Sequence, residues 1–293
     1  MSSPISAPIP VVIYHIGNQP YFQKAVRLNA QFNPIILIGD QTNAKTFIND
    51  PNVEFVHVNT LITPEIVEFH SWFLNYSTNP FDAEFICFQR FFIYKQLMIQ
   101  RNLSRIFHVD SDCTALINIT DYAAAFPDMT CALSIQNLPD QPFNMSACIH
   151  NALLTQEFCD VFIQLTKDIY QNKSKVELIQ PKIDWHMQNK IPGGICDMTL
   201  CYLIWEKNMV AGLQDLNDTR LYENELCVFD HNVQSPYGFN GIATYRMYND
   251  GLKAVQKKDG KFYAITAENE PIRLLTMHFQ GSKGKSILPN FSV

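Results

Sequence analysis

The chain has 293 residues, of which 47% are hydrophobic and 17% are charged, and its formal net charge is −6. This composition suits one large folded core or two modest ones, and it excludes an intrinsically disordered chain. The negative charge argues against a general nucleic-acid surface, so any phosphate site needs its own local group of basic residues.

The N-terminal segment carries no basic stretch followed by an apolar one, so no signal peptide is predicted. No apolar run approaches the roughly 18 residues of a membrane-spanning helix, so no transmembrane segment is predicted either. The eight cysteines include no CxxC pair, which is typical of reduced thiols in a cytosolic protein. We therefore expect the protein to be cytoplasmic.

Short apolar runs and a helical pattern alternate in the first part of the chain. Strands are predicted at 11–14, 34–38 and 53–58, and a helix over 20–32. Apolar runs without polar alternation are typical of strands that are covered on both faces. This order predicts the start of a parallel, doubly wound α/β sheet.

The rest of the chain continues the pattern, beginning with an aromatic-rich helix over 85–100 that leads into a strand over 105–109. The later predicted elements are strands, helices, a hairpin and a tail, at 130–135, 146–153, 155–172, 196–208, 252–256 with 261–265, 272–279 and 280–293. We expect one α/β domain over 1–293, with a Rossmann-like, mostly parallel central sheet flanked by helices. Its nucleotide-binding half would be about 1–115 and its acceptor-binding half about 116–293.

Two carboxylates follow the strand at 105–109 directly. Asp110 and Asp112 are spaced i and i+2, so they point to the same side of an extended chain. Facing an apolar core would cost them a large desolvation free energy, whereas the carboxyl edge of an open α/β sheet is where such folds bind ligands. A divalent cation relieves the repulsion between close carboxylates. The pair predicts a metal site that serves a diphosphate; a helix cap or a solvated turn is the alternative.

His278 closes the last apolar strand, and a segment with Gly281, Lys283 and Lys285 follows it. Imidazole beside carboxylates suits Mn²⁺, whereas carboxylates alone suit Mg²⁺. Glycines allow a phosphate close to the backbone, and lysines supply local positive charge. We expect this segment to be a phosphate-binding loop beside the metal site.

Two further charged residues have two interpretations each. Arg90 lies on the apolar helix before Asp110, where it either extends its charged end to solvent or pairs with Glu84, or else reaches a nucleotide phosphate or ribose. Asp197 opens a helix after a Gly-Gly loop, where it either interacts with the helix dipole or holds or deprotonates an acceptor hydroxyl. The sequence leaves both pairs of alternatives open.

Taken in chain order, these features resemble the nucleotide-sugar glycosyltransferases of the GT-A fold, in particular the group that contains glycogenin and the bacterial lipopolysaccharide galactosyltransferases. The resemblance covers most of the chain. It runs through the opening strand, Arg90, the DxD motif at Asp110 and Asp112, the helix start at Asp197, and His278 with the glycine and lysine that follow it.

The resemblance implies that Asp110, Asp112 and His278 bind Mn²⁺ or Mg²⁺. It also implies that Gly281 and Lys283 contact the donor diphosphate. The implied activity is that of a hexosyl- or pentosyltransferase, which moves a sugar from a UDP- or GDP-sugar donor to a glycan, protein or lipid acceptor.

On this hypothesis Lys285 would help to stabilise the leaving diphosphate, and His15, Asn18 and Asp40 would line the nucleotide. Asp197 would be the base of an inverting reaction, or it would orient the acceptor in a retaining one. The chain departs from the group where Gly284 replaces a lysine and where a methionine follows Asp197 in place of glutamine.

Two alternatives remain. Asp110 to Thr114 also reads as the DxDxT motif of haloacid-dehalogenase-type phosphatases, in which Asp110 would be the nucleophile. That enzyme class needs a later acidic pair, for which Asp215 and Asp218 are the candidates. The second alternative is a glycan-binding relative that has lost the reaction.

Overall fold

The computed structural model describes residues 7–136, 143–238 and 244–291, and within these ranges it contains thirteen strands and nine α-helices. The strands are β1 (Val11–His15), β2 (Ile35–Gly39), β3 (Val53–His57), β4 (Arg105–Val109), β5 (Cys113–Ala115), β6 (Cys131–Gln136), β7 (Ser146–Thr155), β8 (Leu213–Asp215), β9 (Arg220–Tyr222), β10 (Glu225–Phe229), β11 (Val255–Lys258), β12 (Lys261–Ile265) and β13 (Pro271–His278). The helices are α1 (Phe22–Asn29), α2 (Gln41–Phe47), α3 (Pro64–Trp72), α4 (Phe81–Arg101), α5 (Ile119–Ala125), α6 (Gln156–Thr166), α7 (Gln180–Asn189), α8 (Asp197–Glu206) and α9 (Gly281–Ile287).

The central sheet has seven strands in the order β3-β2-β1-β4-β7-β6-β8. Strands β3, β2, β1 and β4 are mutually parallel, β8 is parallel to β6, and β7 runs antiparallel to both of its neighbours. The predicted α/β class with a mostly parallel central sheet is therefore confirmed. Strand order reverses beside β1, and in such folds ligands bind at the carboxyl ends of the strands at this point.

Both faces of this sheet are covered by helices, as the unbroken apolar runs predict. Along β1, Val12 packs into one buried cluster with residues of α3, α4, α6 and α8. Its neighbours Val11 and Ile13 pack into a second cluster with residues of α1, α2 and α5. Because successive side chains of a strand point to opposite faces, each face receives an apolar half of the same run.

A second sheet, in the order β11-β12-β13-β10-β9, lies at the end of β4. Strand β5, which follows the acidic pair, connects this sheet to β4. It pairs antiparallel with β13 so that Cys113 stands opposite His278. A tight turn between β4 and β5, closed by a 2.8 Å hydrogen bond from the Cys113 amide to the Asp110 carbonyl, presents both acidic residues beside that register. The DxD motif and the distant histidine therefore meet through strand pairing.

The segment after His278 is a helix, α9, where the sequence predicts a loop and tail. Its two glycines disfavour a helix, but tertiary contacts outweigh that preference. A Cβ atom at Gly284 would lie 2.6 Å from the backbone of Phe279, so glycine lets the helix pack directly against the end of β13. Among the described residues, no helix combines the length and the apolar character that crossing a membrane requires.

Candidate active site

Three side chains that could hold a metal ion converge at the ends of β4 and β13. Ligand atoms of Asp110, Asp112 and His278, here called the triad, all lie within 4.8 Å of one another. Asp112 and His278 are buried, whereas Asp110 is half-buried. The backbone holds the two strand ends together, because the Phe279 amide donates a 2.8 Å hydrogen bond to the Asp112 carbonyl.

The orientation of His278 suits a metal ligand. Its Nδ1 lies 2.6 Å from the carbonyl oxygen of His231, and a carbonyl only accepts, so Nδ1 carries a proton. Nε2 is then the atom that faces Asp112, at 3.4 Å from Oδ1. A histidine ligand commonly donates its other ring N–H to a carbonyl, which fixes the ring and its tautomer. Burial opposes a charge on His278, but the hydrogen bond to Asp112 and the nearby carboxylates outweigh it and raise the pKa of His278.

Two basic side chains complete what we call the strand-end cluster, the triad with Arg90 and Lys285. Lys285 Nζ lies 3.1 Å from Asp112 Oδ2, and Arg90 Nη1 lies 3.3 Å from Asp110 Oδ1. Burial raises the pKa of Asp112, but the His278 hydrogen bond and the nearby positive charges outweigh it and lower the pKa below its usual value. Each carboxylate therefore has a basic neighbour. A divalent cation could take the place of these neighbours and balance both carboxylates.

Asp110 also accepts a hydrogen bond from His108, which the sequence analysis missed. His108 Nε2 lies 3.1 Å from Asp110 Oδ1, and its Nδ1 lies 2.9 Å from the Tyr94 hydroxyl. Nδ1 also lies 3.2 Å from the Val12 carbonyl oxygen, and burial lowers the pKa of His108 against the opposing effect of Asp110. Although burial opposes the charge on Asp110, this bond and the Arg90 guanidinium hold the pKa of Asp110 well below its usual range.

Arg90 connects the strand-end cluster to the start of α8. Its Nη2 lies 2.5 Å from Asp197 Oδ2 while its Nη1 contacts Asp110, so one guanidinium bridges two carboxylates. The side chains of Arg90 and Asp197 are 12% and 5% exposed, so water screens this bridge little. Among the described ion pairs, Arg90 thus pairs with Asp110 and Asp197 and not with Glu84.

The residues expected to line the nucleotide lie around the ends of β1 and β2. His15 stacks on Phe22 with ring centroids 4.0 Å apart, and the Asn18 side chain is exposed. Asp40 caps α2 by accepting from the Thr42 amide at 2.8 Å, and it also accepts from the Gly17 amide at 3.1 Å. Asp40 therefore fixes the loop after β1, a structural task that the sequence analysis did not assign to it.

The two lysines of α9 face different partners. Lys285 points to Asp112, whereas Lys283 Nζ lies 4.0 Å from the carboxylate of Asp250. Gly281 has φ of +79°, and a Cβ atom there would collide with the side-chain amide of Gln234. The backbone at Gly281 thus requires glycine for the turn from β13 into α9.

Asp230, at the end of β10, supports His278 and was also missed. Its Oδ2 accepts a 3.1 Å hydrogen bond from the His278 amide, and its Oδ1 pairs with the ammonium of Lys253. His150, on β7, stacks on His278 with centroids 4.5 Å apart. The apolar run before Asp230 repeats the strand-then-acid pattern of Asp110, so the sequence held a signal for Asp230 but none for Lys253.

A cavity of about 480 Å³ lies at the loop before Asp197, with Gly193, Gly194 and Cys196 in its lining. Its lining also includes Trp185, His186 and Lys182. The loop before Asp197 is pinned by a 3.0 Å hydrogen bond from the Ile195 amide to the Tyr76 carbonyl. Gly194 has φ of +141°, and a Cβ there would collide with that carbonyl, so the glycine allows the loop to reach the cavity wall.

The geometry weighs against the phosphatase alternative. Asp215 ends β8, which is separated from β4 by β6 and β7 in the central sheet. Three strand spacings amount to about 14 Å, too far for Asp215 to share a metal with Asp110. The position opposite Asp112 is taken instead by His278.

No family model and no curated protein matches the sequence. Solved structures similar to the chain include the apo form of mouse xyloside xylosyltransferase 1, at a TM-score of 0.49 and 13% identity over 71% of this chain and 84% of that one. Others are the apo structure of the bifunctional glycosyltransferase WbbM, at 0.42 and 13% over 74% and 40%, and the glycosyltransferase GlyE of Streptococcus pneumoniae TIGR4, at 0.34 and 10% over 72% and 46%. The chain spans less than half the length of the last two. All three of these structures are glycosyltransferases.

Proposed function

We propose that the protein is a metal-dependent glycosyltransferase that moves a sugar from a nucleoside-diphosphate-sugar donor to a glycan, protein or lipid acceptor. The observation that carries this proposal is the strand-end cluster. Two carboxylates and an imidazole lie within 4.8 Å of one another at the carboxyl edge of the sheet, and a lysine stands beside them. This combination suits a divalent cation together with a diphosphate.

The triad would hold the metal through one oxygen each of Asp110 and Asp112 and through Nε2 of His278. Two hard oxygen ligands with one imidazole favour Mn²⁺ over Mg²⁺. When bound, the metal would supply positive charge to the diphosphate that leaves with the nucleoside. The His231 carbonyl would keep the imidazole turned toward the site through its contact with Nδ1, and Asp230 would hold the backbone of His278 through the amide.

Lys285 would be the main basic contact of the leaving diphosphate. Its ammonium lies beside Asp112 already, so a short movement would bring it to a phosphate oxygen. Gly281 and Lys283 are nearer the start of the same helix and would also contact the diphosphate. Lys283 would leave its 4.0 Å contact with Asp250 to do so. A UDP or GDP moiety would lie over the ends of β1 and β2, near His15, Asn18 and Asp40.

Asp197 would act on the acceptor. Its Oδ2 is held by Arg90, so Oδ1 is the oxygen that remains to accept a hydrogen bond from an acceptor hydroxyl. It would serve as general base in an inverting reaction and as an orienting group in a retaining one. The nucleotide-binding half, about 1–115, and the acceptor-binding half, about 116–293, would then meet at Arg90.

Thermal shifts with nucleoside diphosphates, each with and without Mn²⁺, test the proposal. We expect stabilisation by UDP or GDP that requires Mn²⁺, followed by release of sugar from the matching nucleotide sugar. Nucleotide binding that ignores the metal, or turnover of a simple phosphate ester instead, would exclude the proposed function. Tight donor binding with neither hydrolysis nor transfer would favour the non-catalytic relative.

A further inference from the structure

The cavity beside Asp197 contains a lysine that the proposed chemistry does not use. Lys182, on α7, is 6% exposed and lines this cavity. Its ammonium contacts three oxygens, the Asn144 carbonyl at 2.9 Å, the Thr199 hydroxyl at 3.0 Å and the Met145 carbonyl at 3.5 Å. All three are neutral, and no described carboxylate forms an ion pair with Lys182.

This situation is costly for an ammonium group. A buried charge without an opposite charge loses most of its hydration, and neutral dipoles replace only part of it. Burial accordingly lowers the pKa of Lys182, against a smaller opposing effect of the Cys196 thiol. An anion that entered the cavity would supply the missing charge and stabilise the protonated lysine.

The rest of the lining suits a sugar. The cavity volume of about 480 Å³ falls in the range of small-molecule sites. Trp185 and Phe143 form an aromatic wall with ring centroids 5.7 Å apart, against which the apolar face of a sugar ring can pack. Ser77 and Asn79 also line the cavity, and their side chains donate hydrogen bonds to the buried Glu84 carboxylate, which is not among the lining residues. Among the described lining residues there is no acidic side chain.

We propose that this cavity binds an acidic sugar, whose carboxylate or phosphate group pairs with Lys182 while its ring packs against Trp185. The inference rests on the proposed function, since it names the chemical class of the acceptor that Asp197 would receive. Cys196 lines the cavity and directly precedes Asp197, the first residue of α8, in the chain.

The test compares the affinities of the full chain for methyl glucuronide, glucose 6-phosphate and methyl glucoside, measured by ligand-detected NMR. We expect the wild type to bind at least one acidic sugar about tenfold more tightly than the neutral one, as one charge-assisted hydrogen bond provides. Lys182→Met should abolish this preference and leave the affinity for the neutral sugar unchanged. The exposed Lys258→Met removes the same charge elsewhere and should change neither value.

Three results would overturn the assignment: equal affinities of the wild type for acidic and neutral sugars, no detectable binding of either acidic sugar, or a preference that survives Lys182→Met. Should Lys182→Met fail to fold, Trp185→Leu decides, because it should weaken all sugars together and an unchanged affinity would exclude the cavity. Thermal shifts with UDP and Mn²⁺ on the same samples report the donor site separately. A normal donor shift without acidic-sugar preference refutes this inference alone.

Discussion

The strand-end cluster and the cavity differ in whether their buried charged groups have an oppositely charged neighbour. In the cluster, each carboxylate of the triad lies within 3.3 Å of a basic group, Arg90 for Asp110 and Lys285 for Asp112. In the cavity, the ammonium of Lys182 contacts only neutral oxygens. The negative charges of the cluster are thus balanced by its own basic residues, whereas the ammonium in the cavity forms no ion pair with a described carboxylate.

This difference says what each region can bind. In the cluster a new cation or a new phosphate must replace an existing partner, so binding there is an exchange of charges. In the cavity an anion adds an opposite charge to Lys182, which forms no ion pair with a described carboxylate, so no existing ion pair has to be replaced. Arg90 connects the cluster to the start of α8, because it contacts Asp110 on one side and Asp197 on the other.

The largest effect is expected from Asp112→Ala, which removes one ligand from the triad. Turnover of the nucleotide sugar should fall by about a thousandfold or more, because the diphosphate loses the positive charge that stabilises it on leaving. The Asp112 side chain makes no backbone hydrogen bond in the turn, so the fold should persist. Sugar release and a thermal melt measure the two properties.

The exposed Asp128→Ala provides the matched control for lost negative charge and should keep full activity. Wild-type turnover in Asp112→Ala would contradict the metal role of the triad.

The next largest effect should come from Arg90→Met, which leaves the Asp110 and Asp197 carboxylates without their shared partner. Breaking a buried ion pair should lower the unfolding free energy by about 3 kcal/mol. Adding Asp197→Asn removes one of the two stranded charges and should recover part of the loss. Urea unfolding of the wild type, both single variants and the double variant should give a coupling energy of about 1–3 kcal/mol. Additive losses of unfolding free energy would show that Arg90 and Asp197 are not coupled.

The two lysines of α9 give a smaller and sharper comparison. Lys285→Met should weaken UDP binding in the presence of Mn²⁺ by about tenfold, because a direct phosphate contact is lost. The same change should strengthen binding of Mn²⁺ alone, since Asp112 loses a competing cation at 3.1 Å. Calorimetric titrations with the metal and with the nucleotide separate the two effects. Lys283→Met, whose lysine faces Asp250, should produce smaller changes in both, and the reverse order would make Lys283 the main phosphate contact.

Much of the central sheet could be predicted because its information is local. The apolar runs at β1, β2 and β3 mark buried strands by composition alone, and the acidic pair after β4 contradicts any packing role. The register between β5 and β13 is not local, since it depends on residues more than 150 positions apart. The sequence therefore indicated Asp110, Asp112 and His278 as one site through a resemblance, whereas the strand pairing gives the physical reason.

Other parts of the site could not be predicted because they depend on packing. The helix at 281–287 contains two glycines, and it forms because Gly284 lets it rest on the end of β13. The predicted elements include no helix at 180–189, and the isolation of Lys182 from acidic groups exists only in three dimensions. Asp230 carried the same pattern as Asp110, but nothing in the sequence connects it with Lys253.

Asp215 extends the comparison with Lys182 to a carboxylate, because its hydrogen-bond partners are also neutral groups. It accepts from the Ile135 amide at 3.0 Å and the Asn217 amide at 2.8 Å, and burial raises the pKa of Asp215 to about 6. The unfolded value is about 3.9, so the folded state binds more protons between these values and stability falls as pH rises from 4 to 6. Asp215→Asn should remove this loss, a difference on the order of 1 kcal/mol for a partly buried group. Urea unfolding of both proteins at pH 4, 5 and 6 measures this difference. Parallel dependences of the unfolding free energy on pH would mean that neutral donors alone suffice to hold a buried charge. That result would also remove the reason for placing an anion beside Lys182.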